Sequence, residues 1–185
     1  MALVTLEEAK RQLDIETTAH DVELQVYVDA LAAVIEGHVG VVEPREVTDT
    51  ITGSGPALAV LHPPLLAVTA LAGGIGGVID YPAETLTVDG PAGIVGRLDG
   101  SDFPAGRYTV TYTAGRPTVP PTIKLAALIL LQHLWRTQYG ASRGLGGIGG
   151  GDDYSVTEPV AGWGYAIPNR VLQLLEPFKR PPGVA

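Results

Sequence analysis

Residues 103–136 constrain the fold most, because they join a plain alternating strand to an apolar helix with no catalytic group between them. Tyr108, Val110 and Tyr112 fall on one face of residues 107–113 and Thr109, Thr111 and Thr113 on the other, the period-2 pattern of a half-buried β-strand. Gly115 lets the chain turn. Pro120 and Pro121 preset φ for a first helical turn, and the apolar run that follows to Trp135 continues it. Such a junction demands a covered sheet face and a covered helix stripe, so the chemistry written here is architectural.

The flanking sequence adds further elements. Thr5-Leu-Glu-Glu8 matches a capping box and predicts a helix over 5–13. Thr17 or Thr18 caps a second helix over 18–39, in which Leu24, Tyr27 or Val28, Leu31, Ile35 and Val39 recur at helical spacing until Gly40 ends it. Short runs at 47–51, 58–61, 66–71, 86–88 and 107–113 read as strands, with turns at 53–56, 73–77, 89–91 and 99–101. A third helix is expected over 121–139. The chain is then Gly-rich to Gly151, and a short helix over 168–176 starts at Pro168 and stops before Pro177. That helix is too short to hold undocked, since isolated helices below ~12–15 residues are marginal in water.

The expectation is therefore an α+β fold. Its core is mainly helical, made of two N-terminal helices and one long C-terminal helix, with an inserted antiparallel β-module (45–115) and an extended C-terminal arm. Residues 1–143 form the main domain, and 144–185 a Gly-rich linker and arm.

The chain of 185 residues has no cysteine, which excludes disulfides and thiolate metal sites. Its net charge of −8 is uneven. Residues 1–50 hold 11 acids and 3 bases, whereas residues 116–150 hold 4 bases and no acid. The acidic N-terminal part argues against tight wrapping of duplex DNA but suits a surface that repels it. The first residues lack the basic and apolar regions of a secretory signal, so assembly inside a cell is expected. The longest apolar run, residues 125–135, falls short of the ~20 residues a membrane span needs.

No candidate catalytic or metal motif survives its context. Gly144-Leu-Gly-Gly-Ile-Gly149 fits G-x-G-x-x-G but follows a helix rather than a strand, and reads as a linker. His20, His38, His62 and His133 lack the spacing of a helical metal pair. Asp99-Gly-Ser-Asp102 lacks the closing glutamate of a calcium loop and reads as a turn, and Asp152-Asp153 as solvated charge. No Ser sits in G-x-S-x-G. An enzyme is not expected, and neither is any cofactor or metal. Trp163, Tyr165 and Phe178 are large apolar groups near the C-terminus, which either pack back on their own subunit or anchor another chain.

Taken in order, these segments resemble the head–tail connector (adaptor or head-completion) family of long-tailed bacteriophages. Residues 3–15 and 23–36 are similar to that family's first two helices. Tyr108 to Gly115, then Val119-Pro120 and residues 123–135, resemble its last strand and long helix, and Pro168 to Arg180 its closing leucine-rich segment. The Gly144–Gly151 stretch and the segment around Trp163 depart from the pattern.

The resemblance implies a structural virion protein at the head–tail interface, assembled in the bacterial cytoplasm. It further implies a ring of about a dozen copies closed by heterologous contacts. The ring docks on the portal, extends the DNA channel without sequence-specific binding, and offers a surface to the next head-completion, stopper or tail protein. Portal contact is assigned to Trp163, Tyr165, Ile167, Arg170, Leu172, Leu174, Leu175, Phe178, Lys179 and Arg180. Contact with the neighbouring subunit or next ring is assigned to Gly73, Gly74, Ile75, Gly76, Gly77, Leu130, Leu134 and Trp135. The alternative is a small virion or surface binding module that recognises a ligand through its β-loops.

Overall fold

The computed structural model describes residues 3–75, 78–139 and 167–179. Their contacts divide into two compact units, a helical one (3–34, 120–139 and 167–177) and a β-rich one (35–119 and 178–179).

In the helical unit, α1 (Leu6–Leu13) starts at Thr5. The Thr5 hydroxyl accepts the Glu8 N–H at 3.2 Å and the Glu8 carboxylate accepts the Thr5 N–H at 3.0 Å, so two donors of the first turn are satisfied reciprocally. The second helix, α2 (Asp21–Val39), starts at Asp21 rather than residue 18, because the Asp21 N–H donates to the Thr18 carbonyl in a turn (3.2 Å). Pro121 opens α3 (Pro121–Tyr139) as the proline pair predicts. The short α4 (Asn169–Leu175) runs into a single 3-10 turn, Glu176–Phe178. Both α1 and α4 pack on α3. Buried here are Leu24, Val28 and Leu31 of α2, Ile123, Ala126, Ala127, Leu130 and Leu131 of α3, and Val171 and Leu175 of α4. Polar contacts at the edge tie α1 down: Lys124 Nζ lies 2.5 Å from Glu8 Oε1, and the Gln12 amide donates to Gln132 at 3.5 Å.

The β-rich unit holds β1 (Arg45–Gly55), β2 (Ala57–Ala59), β3 (Leu65–Gly74), β4 (Ile79–Tyr81), β5 (Leu86–Asp89), β6 (Ile94–Arg97) and β7 (Phe103–Ala114). They form two antiparallel sheets, ordered β1-β7-β3-β4 and β2-β6-β5. The alternation in β7 works as read: Tyr108, Val110 and Tyr112 are buried, while Thr109 is exposed and Thr111 and Thr113 are partly so. Phe103, Tyr81 and Tyr108 stack edge-on or tilted with centroids 5.4–6.2 Å apart, and Ile51, Leu58, Leu65, Leu71 and Val95 complete the cluster.

This corrects the expected fold class. The architecture is not a mainly helical core dominated by one long C-terminal helix. Among the described residues the longest helices, α2 and α3, both have 19 residues, and seven strands in two sheets make a β-rich module with its own aromatic core. The helical reading gave too much weight to long apolar runs and too little to short strands in Gly- and Asp-rich text, so β4 and β6 went unseen. Gly73 and Gly74, read as a turn, belong to β3 and pair with Tyr108 and Arg107. Glycine is required there by close approach: a Cβ on Gly73 would lie 2.6 Å from the Tyr108 Cα.

Candidate functional site

A dense polar cluster of the β-rich unit is built on Asp49. Strand alternation places Asp49 between Val47 and Ile51 on the covered face of β1, where it is 5 % exposed. A buried carboxylate needs donors, and it has three. The Tyr112 hydroxyl donates to Oδ2 at 2.6 Å, the Leu61 N–H donates to the same oxygen at 3.0 Å, and His62 Nδ1 lies 3.1 Å from Oδ1. Tyr112 O in turn accepts the His62 N–H at 3.1 Å. Burial, followed by the bond to Asp49, pushes the Tyr112 phenol well above its ordinary value of 10. Asp, His and Tyr thus meet, but each is spent in holding the chain from Val60 to Pro64 against the sheet, so the arrangement ties down a loop rather than activating a nucleophile. The sequence reading weighed His62 alone. The signal it missed was an acid on the apolar face of an alternating strand.

A second feature is an open concavity of about 520 Å³ lined by Ile79, Tyr81, Pro82, Thr85 and Leu98 and rimmed by Asp80, Glu84 and Asp99. Arg97 sits 5.8 Å over the Tyr81 ring and donates to Asp99 at 2.7 Å. The Ser101 N–H, then the Ser101 side chain and Arg97, hold the Asp99 carboxyl below its usual range. The Thr85 hydroxyl donates to the Pro82 carbonyl at 2.7 Å. The turn here runs from Arg97 to Gly100, with the Ser101 N–H donating to the Asp99 carboxylate, and no group of three or more His, Asp or Glu side chains able to hold a metal occurs among the described residues.

The residues assigned to portal contact divide. Trp163, Tyr165 and Arg180 lie outside the described residues. Leu175 is buried where α4 packs on α3, together with Val171, which the sequence reading did not select. Leu172, Leu174 and Ile167 are half-buried, and Arg170 and Lys179 are exposed. In the β-rich unit, Phe178 lies under the Arg116 guanidinium, 5.8 Å from its ring centroid. Arg116 also donates to the carbonyls of Val41 (2.9 Å) and Val39 (2.8 Å). Burial lowers the Arg116 pKa and Glu36 works against that shift.

Of the residues assigned to subunit contact, Leu130 is buried in the helical unit, whereas Trp135 is half-buried with its ring edge-on to His20 (5.9 Å) and Tyr27 (5.8 Å). Leu134 is half-buried, Ile75 is 71 % exposed at the end of β3, and Gly76 and Gly77 lie outside the described residues. Besides Ile75, the large apolar groups left outside are Val22, Val26 and Val34 on α2, Leu125 on α3, and Leu61, Leu66, Val78, Ile79, Val88 and Leu98 in the β-rich unit.

Large apolar side chains thus stand exposed in both units. The sequence matches the profile of the head completion protein family over residues 2–180, and the chain belongs to that family, a structural family of phage-type virion assembly and not an enzyme family. No curated protein matches it. The fold is similar to that of a chain in the virion of a native gene transfer agent (GTA) particle, at 19 % identity and TM-score 0.67, covering 98 % of this chain and 92 % of that one. It is also similar to a chain in the neck of an empty GTA particle computed with C6 symmetry (20 %, TM-score 0.64, 98 % and 92 % covered). A chain in the neck of a native GTA particle computed with C12 symmetry is similar as well (20 %, TM-score 0.62, 97 % and 90 % covered).

Proposed function

We propose that this head completion protein is a head–tail connector ring of the virion neck, assembled in the host cytoplasm, and that it continues the DNA channel below the portal. The observation that carries the reading is the family match over nearly the whole chain. The likeness to chains of GTA necks, one of them computed with C12 symmetry, supports a ring of about twelve copies with heterologous contacts. The surplus of acids in residues 1–50 supports a lumen along which DNA slides rather than binds.

In this reading the segment from Trp163 to Arg180 docks on the portal. Val171 and Leu175 are occupied by α3, so the outward groups Arg170, Leu172, Leu174 and Lys179 supply the contact. The end of β3 at Gly73 to Gly77, with exposed Ile75, meets the neighbouring subunit or the next head-completion or tail protein.

Native mass spectrometry of the full-length chain, alone and mixed with the portal protein encoded beside it, tests the reading. A large ring in either sample, in stoichiometric ratio with portal in the second, is expected. A monomer that ignores portal would sink it and favour a ligand-binding module. The double substitution Arg170→Glu with Lys179→Glu should abolish portal binding with folding intact, and retained binding would refute the docking role of this segment.

A further inference from the structure

Two helices of the helical unit are apolar on more sides than their own unit covers. On α2, Leu24, Val28 and Leu31 are fully or nearly buried, yet Val22 is 86 % exposed, Val26 65 % and Val34 36 %, with Ala30 and Ala33 exposed between them. Positions 22, 26, 30 and 33 follow the i, i+4, i+8, i+11 spacing of one helix face. On α3, Ile123, Ala126, Ala127, Leu130 and Leu131 are buried, while Leu125 is 45 % exposed, Leu128 and Ile129 are half-exposed, and Arg136 stands in solvent at the same face's end. Neighbouring apolar side chains left in solvent on one helix face mark a contact surface.

Charge selects what covers each. Helix α2 carries Asp21, Glu23, Asp29 and Glu36, and α3 carries Lys124 and Arg136. Asp21 is paired with Lys10 (2.8 Å), Glu36 with Arg45 (2.9 Å) and Lys124 with Glu8 (2.5 Å), so the contrast at the outer faces rests on Asp29 of α2 and Arg136 of α3. Asp29 lies beside the valine face, its carboxylate accepting from Gln25 at 2.7 Å. Pairing α2 with another α2 would set acid against acid, and α3 with α3 base against base. Only the mixed pairing brings opposite charges around two apolar faces.

We infer that the outer face of α2 on one copy docks on the outer face of α3 on the next, and that this is the contact that closes the ring. The inference rests on the ring reading above. Two different faces of one chain, used head to tail, make a heterologous interface, the kind that generates a closed ring.

The test uses native mass spectra of the full-length chain, alone and with portal, for Val26→Arg and Leu125→Glu. Each substitution is at an exposed position and adds the charge that its partner face repels, so circular-dichroism melts should match the wild type. In whichever sample the wild type forms its ring, each variant alone is expected to lose it. An equimolar mixture of the two should recover rings, because the sound α3 face of Val26→Arg meets the sound α2 face of Leu125→Glu and the two altered faces carry opposite charges. Rings of wild-type size in either variant would overturn the assignment while leaving the ring reading intact. So would homodimers that survive Leu125→Glu but not Val26→Arg, which would point to an α2–α2 contact, or a loss of portal binding with the ring preserved. A wild-type chain that never forms a ring, with or without portal, would overturn the ring reading itself.

Discussion

The two units solve the burial problem differently. In the β-rich unit, strand alternation separates inside from outside. Tyr81, Phe103, Tyr108 and Tyr112 fill one side, and threonines cover the other, with Thr48 and Thr111 hydroxyls 3.0 Å apart across the ladder. Its one buried acid has all its donors in the same unit. In the helical unit, small and aliphatic side chains fill the interior, and valine and leucine also remain outside on α2 and α3. The contrast teaches that the β-rich unit closes an aromatic core within one copy while single apolar residues such as Ile75, Val78 and Leu98 stand outside it, whereas the helical unit leaves its exposed valines and leucine along the faces of α2 and α3.

The largest effect should come from the finished interior. Phe103→Ala removes a ring that is 1 % exposed and should cost about 3–5 kcal/mol in urea denaturation. If Leu125→Ala, on the exposed helical face, stays within about 0.5 kcal/mol in the monomer, the contrast between the units holds. A comparable loss at Leu125 would break it.

Asp49→Ala comes next. It strips the acceptor from the Tyr112 hydroxyl and the Leu61 N–H, and about 1–3 kcal/mol should be lost by the same measurement. In the helical unit, Thr5→Ala opens the capping box and should cost about 1 kcal/mol, read from the thermal midpoint.

The smallest effects are those of pH. Tyr112 ionises at about 10 in the unfolded chain and higher when folded, so its contribution is fully present below that value and declines as pH rises beyond it. Tyr112→Phe should flatten that alkaline loss. Glu8 behaves oppositely. The side-chain bond from Lys124, then the Thr5 N–H, lower its pKa, so its contribution is present above its ordinary value of 4.5 and fades as pH falls through its folded pKa. Glu8→Gln should remove this acid-side slope from melts recorded across the range.

Much of the fold could be read residue by residue. Thr5 with Glu8, Gly40, and Pro120 with Pro121 mark helix ends through contacts three or four residues long, and α1 and α3 begin where those signals lie. The alternation of β7 named its buried face. Unread were β4 and β6, each too short to show a period, and the strand role of Gly73 and Gly74, which depends on Tyr108 and Arg107 across the ladder. The candidate surfaces were read by composition, so Leu130 and Leu175 were selected for contact although both are buried, and Val22 and Val26, which lie outside the helical pattern of Leu24 to Val39, were passed over.

By itself the sequence determined the starts of α1 and α3, the period of the longer elements, the absence of thiol chemistry and the asymmetric distribution of charge, because all of these act between neighbours along the chain. Tertiary structure decided the sheet order β1-β7-β3-β4, the partners of Asp49 and which apolar faces stay uncovered. Asp49 and Tyr112 stand 63 residues apart, and a hydrogen bond between them exists only after β1 and β7 have paired. Whether a valine on a helix is core or contact surface depends in the same way on what packs against it, a distance in space that spacing along the chain does not encode.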